Sequence, residues 1–237
     1  MKKFVAEIAA AGVLLTGCVS NVSHDSTRVH ADMDLSQFAV PDVPMEPAVK
    51  TELTNTFKMV QDYWVEHGVD LSGVELVLLE NNDSVSCGDK IINAHTSNGA
   101  SYCKGTDEVI ISQEFVASGA RRIVGRPTNG TFLFVITHEL GHAVDDVTNI
   151  EDQIDTASAI AQDNVTERHA DCLAGEAMAV LWPEEVHEVS LQLVHLEGFD
   201  FTHGSGRERN RQFMIGASGK ACELLPTAQF EFDDYEG

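Results

Sequence analysis

The sequence predicts an α+β domain with a small sheet and a long helix that carries the pattern H-E-x-x-H. Three observations predict it. Hydrophobic periodicity is helical at the start of the domain, turns short and β-branched between residues 73 and 112, and is helical again to the end. The stretch "VITHELGHAVDD" (135–146) sets His138, Glu139 and His142 inside one of those helical patterns. Hydrophobic residues make up 43% of the chain, enough for one core between residues 46 and 230.

The elements follow in order. "EPAVKTELTNTFKMVQDYWVEHGV" (46–69) puts Val49, Leu53, Phe57, Val60 and Trp64 on one face, so a helix is expected. "GVELVLLE" (73–80) is apolar and β-branched, a strand. "NNDS" and Cys87-Gly88 mark turns, and "KIINA" and "DEVIIS" (107–112) are short strands. Asn129-Gly130-Thr131 marks the start of a helix that runs to about Val147. The Ala-rich stretch 156–182 contains a second long helix, stopped by Pro183. Helices near 184–196 and 206–219 complete the domain, the last ended by glycine.

The N-terminal stretch "MKKFVAEIAAAGVLLTGC" has a charged start and a short apolar run, so residues 1–17 read as a signal peptide. Leu15-Thr16-Gly17-Cys18 resembles the lipobox of bacterial lipoproteins. That resemblance implies cleavage before Cys18 and lipid, palmitate included, on the new terminus. Val19 rather than Asp follows Cys18, and the resemblance to Gram-negative lipoproteins then implies the periplasmic face of the outer membrane of the cell envelope. Residues 18–45 are then a lipidated N-terminus and a flexible tether, polar and without a clean period. Residues 231–237 form an acidic tail.

With 38 acidic residues against 15 basic, the net charge is −23. Such a surface repels phosphate backbones and anionic headgroups, so no nucleic-acid partner is expected, and membrane contact only through the lipid.

On a helix, residues four apart stand one turn above each other, so His138 and His142 can reach one ion. Glu139 lies about 100° further round, within reach of a water on that ion. Leu140 faces the core, and Gly141 leaves room for a close approach. A catalytic zinc needs a third protein ligand and an open position. Asp145 and Thr148 stand where a metzincin would have its glycine and third histidine, so that ligand comes from elsewhere. Asp146 could reach the same face at a stretch. "TERHADCLAGEA" offers Glu167 and Asp171, four apart on one helix face. "THGSGRER" could present His203 or Arg209 toward the cleft, to stabilise an oxyanion.

Five cysteines occur, and four remain if Cys18 takes the lipid, an even number for an exported protein. Four allow three pairings. Cys87 with Cys103 closes a local loop, and Cys172 with Cys222 then closes a longer one.

"HELGHAVDD", "ERHADCLAG" and "HGSGRERNRQFMIGASGKAC", with "CGDK" and "GASYCKGTDEVIIS" upstream, resemble the bacterial neutral zinc metallopeptidase family over residues 87 to 222. His169, Lys104 and Gln212 depart from its pattern. The resemblance implies a zincin-like metallopeptidase domain of the gluzincin kind. It implies one Zn²⁺ per chain on His138, His142 and Glu167, with Asp171 bonded to the outer nitrogen of a ligand histidine. It supports the pairings Cys87–Cys103 and Cys172–Cys222. Glu139 would be the general base, and the substrate a peptide or protein, with "DEVIIS" as the edge strand that pairs with it. The alternative is a non-catalytic envelope lipoprotein whose metal site and disulfides stabilise a binding module; Glu139 argues against it, since a structural site has no need of a base.

Overall fold

A computed structural model describes residues 45–223 except 89, 97–98, 120–128, 151–158 and 196–202. The expected signal peptide, Cys18, nearly all of the tether and the acidic tail lie outside the described residues. The elements are α1 (Pro47–Glu66), β1 (Glu75–Leu79), β2 (Ser84–Cys87), β3 (Lys90–Asn93), β4 (Ala100–Cys103), β5 (Glu108–Ser112), a π-helical turn (Phe115–Gly119), α2 (Asn129–Val147), α3 (Ala159–Leu181), α4 (Val186–Val194) and α5 (Gly206–Ala217). The result is a mixed fold of helices and small sheets. No described helix is long and apolar enough to cross a membrane.

Helix α1 buries Leu53, Phe57, Val60 and Trp64, the stripe that the 3.6-residue period marks. Buried Gln61 on the same helix donates to the carbonyls of Leu71 and Val74, at 2.7 and 2.9 Å, and so fixes the chain as it enters β1.

The main sheet has the order β1-β5-β4, with β1 parallel and β4 antiparallel to β5. Side chains alternate across it. Leu76, Leu78, Val109, Ile111, Ala100 and Tyr102 join the core that the helices build. Val77, Leu79, Ile110 and Cys103 face the other way, where the β2–β3 hairpin covers them with Val85 and Ile92. The disulfide Cys87–Cys103 ties that hairpin to the last residue of β4. This corrects the expectation that "DEVIIS" is the edge strand. β5 is the middle strand, paired on both sides, and its Val109, Ile110 and Ile111 are buried in succession. The edges are β1 and β4, and β4 is the one whose Tyr102 meets α2.

The helices behind the sheet pack backbone to backbone where glycine permits it. A Cβ on Gly175 of α3 would stand 1.9 Å from the carbonyl oxygen of Phe213, and one on Gly216 of α5 would stand 1.9 Å from that of Cys172. The α3–α5 crossing therefore needs glycine on both sides. The disulfide Cys172–Cys222 fastens the chain just beyond α5 to the same stretch of α3. A Ser205–Glu208 capping box starts α5.

Candidate metal centre

Helix α2 brings His138 and His142 to one side because they are four residues apart, and it drives Leu140 into the core, fully buried. A Cβ on Gly141 would stand 3.0 Å from the Cα and carbonyl oxygen of Ala170, so this glycine sets how closely α2 meets α3. That closeness brings Glu167 to the histidines. His138 Nε2 lies 3.1 Å from Glu167 Oε2, His142 Nε2 lies 3.5 Å from it, and the two Nε2 atoms are 3.2 Å apart. His138, His142 and Glu167 form the one group of three or more among the described residues that could hold a metal ion.

Behind the cluster, Asp171 Oδ1 lies 2.9 Å from His138 Nδ1, a close but bent approach. Asp171 also receives Arg209 in a fork, Nε to Oδ2 at 3.0 Å and Nη2 to Oδ1 at 2.8 Å. The Arg209 guanidinium lies over the ring of Phe134, 5.6 Å from its centroid. Arg209 therefore backs the site and does not enter the cleft, which corrects that part of the expectation. Its partner is a wholly buried carboxylate, and a buried Asp with no cation would be costly.

The charges make one unit. Burial opposes the charge on Asp171, but Arg209 and then His138 outweigh it and hold the carboxyl below its ordinary range. Burial likewise opposes the charge on Glu167, yet His142 and His138 hold its carboxyl well below that range. Burial works against a proton on His138, but Asp171 and Glu167 overcome it and push its pKa up to about 10. His142 is also raised, Glu167 outweighing burial. Carboxylates set against both imidazoles thus make the cluster a place that favours positive charge.

Glu139 sits beside the cluster without joining it. It is largely buried, and its Oε2 accepts the backbone N–H of Tyr102 on β4 at 2.8 Å. His203 is brought to the same place, with Nε2 3.3 Å from Glu167 Oε2 and its side chain more than a third exposed. Asp146 is turned aside: it accepts from the Tyr102 hydroxyl at 3.0 Å and pairs with Lys104 at 2.8 Å. His169, which departs from the family pattern, has Nδ1 2.6 Å from Asp145 Oδ1 and Nε2 3.3 Å from the carbonyl of Cys222. It stitches α2, α3 and the stretch just beyond α5 together. Sequence reasoning missed Tyr102, whose link to Glu139 runs through a backbone amide and leaves no mark on residue type.

The donor set fits zinc. Imidazole and carboxylate donors at ~2.0–2.1 Å in a tetrahedron stand roughly 3.3–3.4 Å from one another. The three separations here are 3.1, 3.2 and 3.5 Å.

The family described as "Putative neutral zinc metallopeptidase" matches residues 8–190, well over half of the chain, and the protein belongs to this family. The match takes in all three donors, Glu139 and Asp171, and ends before His203 and Arg209. No curated protein and no solved structure matches the chain.

Proposed function

We propose that this chain is a zinc-dependent peptidase with a zincin-like fold that acts in the cell envelope, carrying one Zn²⁺ on His138, His142 and Glu167. The observation that carries this is Glu139, a carboxylate held beside three convergent donors and not counted among them. A bound zinc ion would polarise a water and the scissile carbonyl. Glu139 takes the proton of the attacking water and returns it to the leaving amine. Asp171 fixes the orientation of His138, and Arg209 keeps Asp171 charged. His203, at the open side of Glu167, donates a hydrogen bond to the oxygen that gains charge as the carbonyl is attacked. The substrate is a peptide segment of an envelope protein.

The test is casein and peptide cleavage by purified protein, with and without chelator, and after zinc is returned. Zinc-dependent cleavage supports the peptidase. A protein that carries zinc and cleaves nothing would be the binding module instead. We further propose that Cys18 is the lipidated N-terminus, on the strength of Leu15-Thr16-Gly17-Cys18. Mass spectrometry of the membrane-extracted protein should find an acylated Cys18, and an unmodified terminus elsewhere ends the anchor proposal.

A further inference from the structure

Tyr102 of the sheet is hydrogen-bonded to Glu139, and it grips α2 at two points. Its amide donates to Glu139 Oε2 at 2.8 Å, and its hydroxyl lies 3.0 Å from Asp146 Oδ2. Glu139 and Asp146 are seven residues apart, two turns of one helix, so they share a stripe of α2. The strand meets that stripe in one residue, backbone on one carboxylate and side chain on the other.

The strand geometry explains why the amide is free to do this. Gly99 gives its carbonyl to the amide of Ser112, so it faces β5. In an antiparallel ladder the backbone groups alternate in direction, so Ala100 and Tyr102 turn theirs outward, to the open edge. An outward amide on an edge strand ordinarily meets water. Here it meets the carboxylate of Glu139.

The rest of the neighbourhood keeps Tyr102 in place. Its hydroxyl also lies 3.1 Å from Asp107 Oδ1 in the β4–β5 turn, and Lys104 pairs with the other oxygen of Asp146 at 2.8 Å. Burial, then Asp146 and Asp107, push the phenol upward and keep it a donor. The next residue, Cys103, is wholly buried and bonded to Cys87. The strand therefore has little freedom to slide along the helix.

We propose that Tyr102 is a positioning residue for the reaction. Its amide occupies Oε2 of Glu139 and leaves Oε1 to take the proton, while its phenol, held on Asp146, keeps that amide in register with α2. This rests on the peptidase reading of the site. A carboxylate free to rotate offers either oxygen at varied angles, and proton transfer needs one of them at hydrogen-bond distance from the water. An edge-strand amide anchored one side chain away removes that freedom.

Two arms test it on the zinc-loaded protein. The first needs no activity. Amide hydrogen exchange followed by NMR should show the Tyr102 amide protected in the wild type, and at least ~10-fold faster in Glu139→Ala, with the amides of β5 unchanged. A Tyr102 amide that exchanges equally in both proteins overturns the proposal. The second arm compares Tyr102→Phe, Tyr102→Ala and Tyr102→Pro. Proline removes the amide hydrogen, and an edge strand admits it where the N–H faces outward. Tyr102→Phe should lower kcat by roughly 3- to 10-fold with KM within ~2-fold and full zinc, and Tyr102→Pro should lower it by roughly 10- to 100-fold, beyond Tyr102→Ala. A folded, zinc-bearing Tyr102→Pro as active as Tyr102→Ala would show that the amide has no role. If proline prevents folding, Tyr102→Phe decides the phenol and the exchange arm decides the amide. A wild type that hydrolyses nothing fails the peptidase reading and the catalytic half of the proposal with it; the exchange arm still reports whether Tyr102 holds Glu139.

Discussion

Asp171 and His138 meet across two helices, Oδ1 of the one 2.9 Å from Nδ1 of the other. The other nitrogen of His138 faces Glu167, four residues before Asp171 on the same helix. One imidazole is thus held from both ends by carboxylates on successive turns of α3. In the proposed site the inner carboxylate would be a donor to the ion, and the outer one would set the ring's direction.

From that arrangement the two carboxylates should fail differently. Glu167→Gln exchanges a charged donor for a weak neutral one and should leave the purified protein with little zinc. Asp171→Asn should weaken zinc binding by about 10- to 100-fold, read by competition with a chromophoric chelator. It should also lower Tm, because Arg209 loses a buried partner, at a cost of roughly 3–5 kcal/mol. Glu167→Gln with stoichiometric zinc, beside Asp171→Asn without it, would reverse the two roles.

The α3–α5 crossing predicts sharp sensitivity at two glycines. Gly175→Ala and Gly216→Ala each place a carbon 1.9 Å from a carbonyl oxygen of the facing helix. The helices must part, and each change should cost roughly 1–3 kcal/mol or more. Gly141→Ala, with neighbours at 3.0 Å, should cost less. Thermal melts would show this order, and a Gly216→Ala protein that melts like the wild type contradicts the packing.

Removing the disulfides should hurt unequally. Cys172–Cys222 spans 50 residues and Cys87–Cys103 spans 16. By loop-closure entropy, losing the first costs roughly 4 kcal/mol and losing the second roughly 3. Denaturant midpoints of Cys172→Ser/Cys222→Ser and Cys87→Ser/Cys103→Ser check this. The longer bridge should also matter for zinc, since it fastens the chain beyond α5 to the helix bearing Glu167 and Asp171.

Much of this was legible in the residues, for identifiable reasons. The stripe of α1, the start of α2 at Asn129, and the helix broken before Pro183 are local patterns, and the structure follows them. His138, His142 and Glu139 declare themselves by spacing on one helix. Glu167 and Asp171 needed the family resemblance, because an acidic pair in so acidic a chain looks like a solvated face. The sheet was harder. β4 reads Ala-Ser-Tyr-Cys, with too little alternation to announce a strand, and β2 passed for a turn. The run Val109-Ile110-Ile111 did carry the sign of a strand covered on both faces, which an edge strand is not. Arg209 could have faced the cleft or an acid; the packing of α5 on α3 decided for Asp171. Contacts that depend on backbone direction, such as Tyr102 to Glu139, follow only from the assembled fold.

The most direct measurement is peptide hydrolysis by Glu139→Gln, purified with its zinc content verified. Glutamine keeps the size and the helix and cannot take the proton. The variant should hold zinc at the wild-type ratio, because Glu139 is not among the three donors. Its hydrolysis should fall by roughly a hundredfold or more. Wild-type hydrolysis from a zinc-loaded Glu139→Gln would contradict the role of Glu139, and with it the reading of this site as a peptidase centre.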